Sequence, residues 1–292
     1  MYELPSITGH TGFMGLLGSP VRHSFSPVMH NTAFRILGLD YVYLCFEVGE
    51  EELAHAVEGL RICGISGFNL TMPNKTRILE LLDVISPEAA LIGAVNTVVC
   101  KDGKLCGYNT DGFGYMKGLA QSGIHVIGKE ITVLGAGGAA TAIIAQAALD
   151  GVSKINVFYR PSSRFAPKMK HLADQIGSRT ACRIEQYAME DSASLKKALQ
   201  SSVLLANATS VGMAPHEDET PLQDMSLLRS GLAVTDVIYH PGQTRLLKEA
   251  ASIGCPTLNG LPMLLWQGAK AFELWTGRQM PVENIRPLLP EM

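Results

Sequence analysis

A single lysine stands where an apolar run gives way to helical spacing. In ISGFNLTMPNKTRILELL (65–82), Asn69, Leu70 and Thr71 are followed by Met72, Pro73, Asn74 and Lys75. A lysine at such a passage can be a solvated surface charge or an incident of helix initiation. It can also be an acid/base. An ammonium steadies a developing alkoxide and, if burial lowers its pKa, passes a proton. Further along, VLGAGGAATA (133–142) matches G-x-G-x-x-A through Gly135, Gly137 and Ala140. In a dinucleotide site the first glycine permits the tight turn, the second lets a pyrophosphate approach the backbone, and the alanine allows close helix–sheet packing. Ala136, Gly138 and Ala139 complete the loop, and the following helix offers free N–H groups to phosphates. The match lies between a predicted strand and a predicted helix within one βαβ unit, which is the context the motif requires. A purely structural glycine turn is the alternative.

The end of the next strand bears on which dinucleotide. An NAD site usually carries Asp or Glu there, about 20 residues on, for the ribose 2′-hydroxyl. Here the strand ends NVFYRPSSR (156–164) and no acid is present. Arg160 and Arg164 suit a 2′-phosphate, which guanidinium groups bind through paired hydrogen bonds. They can equally be surface arginines. The missing acid favours NADP over NAD.

The elements that must position these groups alternate along the chain. FMGLLG (13–18) reads as a strand, SPVMHNTAFRILG as a helix closing at Gly38, and DYVYLCFEV (40–48) as a strand rich in aromatic and β-branched residues. EELAHAVEGLRICG is an amphipathic helix ending at Gly64, SGFNLT a strand and KTRILELLDVI a helix. NTVVCKDGKLCGY folds as a hairpin about Asp102-Gly103. This βαβα order predicts a largely parallel sheet covered by helices. After YNTDGFGYMKGLAQSG come the strand, glycine turn, helix and strand of KEITVLGAGGAATAIIAQAALDGVSKINVFYR. SSVLLANAT and LAVTDVIY then continue the strand series, and NGLPMLLWQGAKAFELWTG is a final helix. Domain boundaries are expected near residues 112 and 255. The loop MAPHEDETPL (213–222) reads as exposed.

Composition narrows the class. The 292 residues are 47% apolar and 17% charged, as in soluble globular proteins of one large or two ordinary domains. A net charge of −3 gives no support for nucleic-acid binding. No membrane span is expected. The opening MYELPSITGHTGFMG lacks a basic and an apolar signal region, so no signal peptide is expected. The six cysteines form no C-x-x-C pair and read as reduced thiols of a cytoplasmic protein, with no metal site.

With these residues in place the chain resembles the shikimate dehydrogenase family, most closely its quinate/shikimate branch. The resemblance spans nearly the whole chain: GSPVRHSFSPVMHN (18–31), GFNLTMPNK (67–75), GAVNTV (93–98), GYNTDGFG (107–114), LGAGGAATA (134–142), NATSVGM (207–213), DVIYHP (236–241) and NGLPMLLWQG (259–268). It implies an α/β fold with a substrate domain (1–112, completed by 256–292), a Rossmann-like NAD(P)-binding domain (113–255) and a cleft between them. It also implies reversible hydride transfer between a nicotinamide cofactor and shikimate, or quinate in the broader branch. Lys75 matches the family's catalytic lysine and Asp111 its partner aspartate. Ser24 and Ser26 match carboxylate-binding serines, although two serines before a proline also read as a helix cap. Thr71, Asn96 and Gln267 match positions that contact ring substituents, and Tyr239 a tyrosine near the carboxylate. Asn207, Thr209 and Ser210 fall in the cofactor-facing loop, and Gly260 is included among the cofactor positions. The resemblance favours a homodimer over a monomer.

The chain departs from the family after the second cofactor strand. Shikimate-specific members often carry Asn-Arg-Thr there, and this chain has Tyr159, Arg160 and Pro161. Dual-cofactor members carry an acid close by, where this chain has Ser162 and Ser163. Other readings are a methyltransferase, a folate-type dehydrogenase, and a nucleotide sensor that lost its chemistry. The first needs no lysine–aspartate pair, the second no HSFSP, and the third would be expected to lack Lys75 or Asp111.

Overall fold

The computed structural model describes residues 7–290. Contacts divide the chain into two units. One runs to Thr110 and resumes over Gln267–Pro290, and the other is Asp111–Trp266.

The first unit contains β1 (Gly12–Gly18), α1 (Ser26–Leu37), β2 (Tyr41–Glu47), α2 (Leu53–Ile62), β3 (Gly67–Leu70), β4 (Val84–Ile85), α3 (Pro87–Ile92), β5 (Thr97–Lys101) and β6 (Lys104–Tyr108). The strands form one mixed sheet in the order β2-β1-β3-β5-β6-β4. β1 pairs in parallel with β2 and β3, while β5 runs antiparallel to both β3 and β6. The hairpin turns at Asp102 and Gly103, with φ of 51° and 74°, the doubly left-handed geometry for which Asp-Gly is suited. Leu17, Phe68, Leu70, Ile78, Val95 and Val98 fill the core on one face of this sheet.

The helix expected over KTRILELLDVI does not form. The chain makes a 3₁₀ turn over Arg77–Leu81, becomes extended at Leu82 (ψ 142°), and enters the sheet as β4. The competing partner is the hairpin. The Asp83 carboxylate accepts the Leu105 N–H at 2.7 Å and Ser86 N–H bonds to the Gly107 carbonyl, drawing the segment beside β6.

β2 is an edge strand, and one of its outward-facing peptide positions is occupied from within. Asn31 of α1 donates from Nδ2 to the Tyr43 carbonyl at 2.9 Å, and its Oδ1 accepts the Tyr43 N–H at 2.7 Å.

The second unit contains α4 (Asp111–Gln121), β7 (Glu130–Leu134), α5 (Gly138–Leu149), β8 (Lys154–Tyr159), α6 (Ala166–Arg179), β9 (Arg183–Ala188), α7 (Ser192–Ser201), β10 (Leu204–Asn207), β11 (Ala233–Asp236), α8 (Arg245–Ile253) and β12 (Thr257–Leu258). All its strand pairs are parallel, in the order β12-β11-β10-β7-β8-β9. β7 is buried along most of its length and β10 and β11 throughout, which is why they read as near-continuous apolar runs. α5 is apolar on nearly every face and correspondingly buried. The unit boundary falls within α9 (Leu261–Thr276), and α10 (Val282–Ile285) lies in the first unit. Among the described residues no helix is long and apolar enough to cross a membrane.

Candidate active site

In the first unit the sequence-predicted polar residues gather where β1 and β3 end and β5 begins. Asn96, 2% exposed, is fixed on both sides of its amide. Its Oδ1 accepts the Thr110 N–H at 2.9 Å and the Thr97 hydroxyl at 2.9 Å, while its Nδ2 donates to the Thr110 hydroxyl at 3.0 Å. Asn69, buried within β3, donates to the Asn96 carbonyl and to the Thr97 hydroxyl, each at 3.0 Å. Its Oδ1 accepts the Tyr43 hydroxyl at 2.8 Å. Tyr43 in turn bonds to the Ser26 side chain, and burial, more than the nearby Cys45, raises its pKa well above the ordinary tyrosine value.

The serines of HSFSP do not form a side-chain cap. The N-cap of α1 is Phe25, and the Ser24 hydroxyl instead accepts the Ser26 N–H at 3.2 Å. Thr71 donates its N–H to the Leu17 carbonyl, and its methyl would meet any Cβ at Gly18. Lys75 lies half-buried in the turn after β3. That turn closes through Asn74 N–H to the Thr71 carbonyl, and the Lys75 carbonyl accepts the Val95 N–H at 2.8 Å. Lys75 is thereby tied to the residue preceding Asn96. Gln267 is half-buried in α9. At the next residue, Gly268, a Cβ would press on Met29 of α1.

α1 and α9 also enclose His30, which is fully buried with neither ring nitrogen hydrogen-bonded. Its ring stacks on Tyr43 at 4.5 Å between centroids, with Phe272 and Trp275 around it. Burial lowers its pKa to about 3. The sequence reading missed Tyr43, Asn69, Thr97 and His30. Asn69 carried a signal: asparagine is depleted in strands, so one inside an apolar strand implies a dedicated polar partner.

In the second unit the glycine loop leaves β7 at the point where strand order reverses, between β7 and β10, which is where open parallel sheets bind nucleotides. Gly135 has φ +117°, and a Cβ there would lie 2.8 Å from the Ala208 carbonyl oxygen. Gly137 caps α5, and a Cβ on Gly137 or Gly138 would project into open space. Free N–H groups at the start of a twelve-residue helix, with no side chains over them, fit a pyrophosphate. Ala136 is buried and Ala139 half-buried in the same loop.

Arg160 and Arg164 are both exposed in the turn after β8, with Arg164 4.8 Å from the Phe165 ring centroid. The Tyr159 hydroxyl is directed to Gln186 of β9 at 2.9 Å. Asn207 is buried at the end of β10 and holds Thr209 through two bonds, while Ser210 is exposed. Tyr239 is half-buried, which raises its pKa. Gly260 has a packing reason for being glycine: a Cβ would overlap the Val237 carbonyl. Asp111 is the first residue of α4 and is buried. One turn on, Tyr115 bonds to Thr235 of β11 at 2.6 Å. Among the described residues no cluster of three or more His, Cys, Asp or Glu is placed to hold a metal ion.

Comparison with known proteins decides the family. Residues 16–98 match the shikimate dehydrogenase substrate binding domain and residues 260–289 the shikimate 5'-dehydrogenase C-terminal domain. The chain is 53% identical over 283 residues, 97% of each sequence, to shikimate dehydrogenase (NADP(+)) of Listeria innocua. The chain belongs to the shikimate dehydrogenase family. The crystal structure of shikimate 5-dehydrogenase from Listeria monocytogenes, in complex with shikimate and NAD, superposes with a TM-score of 0.94 at 53% identity, covering 97% of this chain and 98% of that one. Quinate dehydrogenase from Corynebacterium glutamicum, in complex with NAD, matches with a TM-score of 0.85 at 30% identity over 95% of this chain and 98% of that one. Both family matches leave the glycine loop uncovered, so the cofactor assignment draws on the loop's own geometry and on the full-length relatives.

Proposed function

We propose that this member of the shikimate dehydrogenase family catalyses reversible hydride transfer between NADP(H) and shikimate/3-dehydroshikimate. The unit ending at Thr110 and completed by Gln267–Pro290 binds the substrate, and Asp111–Trp266 binds the cofactor. One chain of bonds carries this reading. The Lys75 carbonyl holds the Val95 N–H, the next residue Asn96 holds Thr110, and Thr110 is joined directly to Asp111. The lysine and the ring-contacting asparagine of the family pattern are thus fixed along one backbone path, and the aspartate follows Thr110 directly in sequence.

In that reading Lys75 exchanges the proton of the reacting hydroxyl, and Asp111 orients it and accepts a hydrogen bond from a neighbouring hydroxyl. Ser24, Ser26 and Tyr239 face the carboxylate, while Thr71, Asn96 and Gln267 contact the ring. Bound nicotinamide supplies the hydride acceptor. The loop Gly135–Ala139, with the start of α5, takes the pyrophosphate, Arg160 and Arg164 the 2′-phosphate, and Asn207, Thr209, Ser210 and Gly260 the remaining half. The role is biosynthetic, in aromatic amino acid formation, in a cytoplasm whose reducing conditions suit six free thiols. The assembly is a homodimer.

A second activity with NAD is favoured by one observation, that Tyr159 and Pro161 replace polar side chains beside Arg160 and the Tyr159 hydroxyl is engaged elsewhere, and one with quinate by the likeness of MLLWQGAKAFELWTG (263–277) to the quinate/shikimate branch. Absorbance at the reduced-nicotinamide band tests both, in four mixtures of shikimate or quinate with NAD or NADP. Turnover with shikimate and NADP is expected. Turnover with quinate alone would overturn the primary reading.

A further inference from the structure

The last two residues of β11 connect parts of the second unit that the sequence keeps far apart. Asp236 is 1% exposed. Its Oδ1 accepts the Ile238 N–H at 3.0 Å, and its Oδ2 accepts the Asn207 Nδ2 at 3.1 Å and the Thr244 hydroxyl at 2.9 Å. Asn207, its register partner on β10, spends the rest of its amide on the loop that follows, and Nδ2 itself also donates to the Val211 carbonyl at 3.2 Å. Its Oδ1 accepts the Thr209 N–H at 3.0 Å and the Thr209 hydroxyl at 2.7 Å, and the Thr209 hydroxyl in turn accepts the Val211 N–H at 3.1 Å.

An ionised carboxylate only accepts hydrogen bonds, so the atom of Asn207 that faces it has to be the nitrogen. That choice leaves the Asn207 oxygen toward Thr209. The carboxylate and the Val211 carbonyl require the same amide orientation, and that orientation folds the loop. The half of the sheet made by β10, β11 and β12 takes the second mononucleotide of a dinucleotide, because the arginines after β8 belong to the first. We propose that Asp236 is a positioning residue for hydride transfer: by fixing the Asn207 amide it holds the loop from Asn207 to Val211 against the nicotinamide half of the cofactor. This rests on the dehydrogenase reading above. The same strand end secures α4 through Thr235 and Tyr115, one turn from Asp111, so both anchorages share one short strand.

The test is Asp236→Asn. It puts an N–H₂ group where Oδ2 accepted, so the Asn207 amide either loses its bond to β11 or turns over and opposes both the Thr209 N–H and the Val211 carbonyl, and each outcome loosens the loop. The adenosine half is untouched. We expect kcat to fall about tenfold or more, with the KM and Kd for NADP changed less than about threefold. Amide hydrogen exchange over 207–213 should quicken at least about tenfold, read by mass spectrometry. If Asp236→Asn does not fold, Asp236→Ser removes the carboxylate without a competing amide and should move both readouts in the same direction. Unchanged exchange in a folded variant would overturn the tether. Faster exchange with unchanged kcat would overturn the positioning role, as would equal losses in kcat and in nucleotide affinity. A wild-type chain without turnover would overturn the dehydrogenase reading instead, and with it the hydride-transfer role, while exchange still judges the tether.

Discussion

Replacing Asn69 by alanine should cost the first unit about 3 kcal/mol. Its side chain makes three buried hydrogen bonds, from the Tyr43 hydroxyl at 2.8 Å and to the Asn96 carbonyl and Thr97 hydroxyl at 3.0 Å each. Each is worth about 0.5–1.5 kcal/mol net. The Asn96 carbonyl keeps the Leu70 N–H and Thr97 keeps Asn96, so those partners are not stranded. Tyr43 loses one partner at a site where it is about 1% exposed but keeps Ser26, which leaves the total near the middle of the summed range of about 1.5–4.5 kcal/mol. The two tryptophans allow the unit to be watched alone. Trp275 donates its indole N–H to the Val98 carbonyl in the first unit's sheet, and Trp266 lies in the other unit. In a Trp266→Phe background, urea unfolding followed by Trp275 fluorescence should show the midpoint falling by about 1.5 M, taking m as about 2 kcal/mol/M. The Asn96 amide should also lose definition, so the KM for shikimate should rise. A midpoint shift below about 0.3 M would refute the reasoning, since the three bonds would then be replaced at no cost.

Other outcomes follow from the same geometry. Lys75→Ala should lower kcat by roughly a hundredfold or more with NADP affinity nearly intact, because the lysine lies within the match to the substrate binding domain; isothermal titration and initial rates separate the two. Arg160→Ala with Arg164→Ala should raise the KM for NADP at least about tenfold more than that for NAD, and equal effects would remove both arginines from 2′-phosphate recognition. His30 has its folded pKa lowered by burial from 6.5 to about 3. The unfolded chain therefore takes the proton first, and stability falls as pH drops below about 6.5. Between pH 7 and pH 5 this is about 2 kcal/mol. His30→Leu should remove that share of the pH slope reported by Trp275, and an unchanged slope would show that the imidazole titrates normally.

What the sequence disclosed and what it withheld divide along physical lines. The glycine turn after β7, the Asp-Gly hairpin and the four central strands of the second unit (β7, β8, β10 and β11) were legible because local rules govern them: positive φ, helix-terminus chemistry and continuous apolar runs; β9 and β12 at the two edges were not read. The stretch after Lys75 was not, because its apolar spacing suits a helix and only the Asp83 bond to Leu105, a partner 22 residues away, decides for a strand. HSFSP looked like a cap, yet Ser24 bonds within its own turn. Ser26 and Asn96 were named from the family pattern. The residues that hold them, Tyr43, Asn69 and Thr97, were not, since their role is a set of long-range hydrogen bonds that no spacing announces. Asp236 lay in plain view in DVIYHP, but its meaning depends on which atom of Asn207 it faces.

Asn31 has a bearing beyond the tyrosine it clamps. A free sheet edge is an invitation to any passing strand, including one from another copy of the same chain. Along β2 the groups pointing away from β1 belong to alternate residues, and Asn31 occupies both of those of Tyr43, while the Tyr41 N–H is already spent on Leu39. A visiting strand registered there would find both groups of Tyr43 and the N–H of Tyr41 already engaged. At that end of β2 a second copy would be met by side chains, such as the exposed Leu44, and not by a free backbone ladder. One asparagine thus settles two matters at once: where a tyrosine stands inside the unit, and by what language its outer border can be addressed.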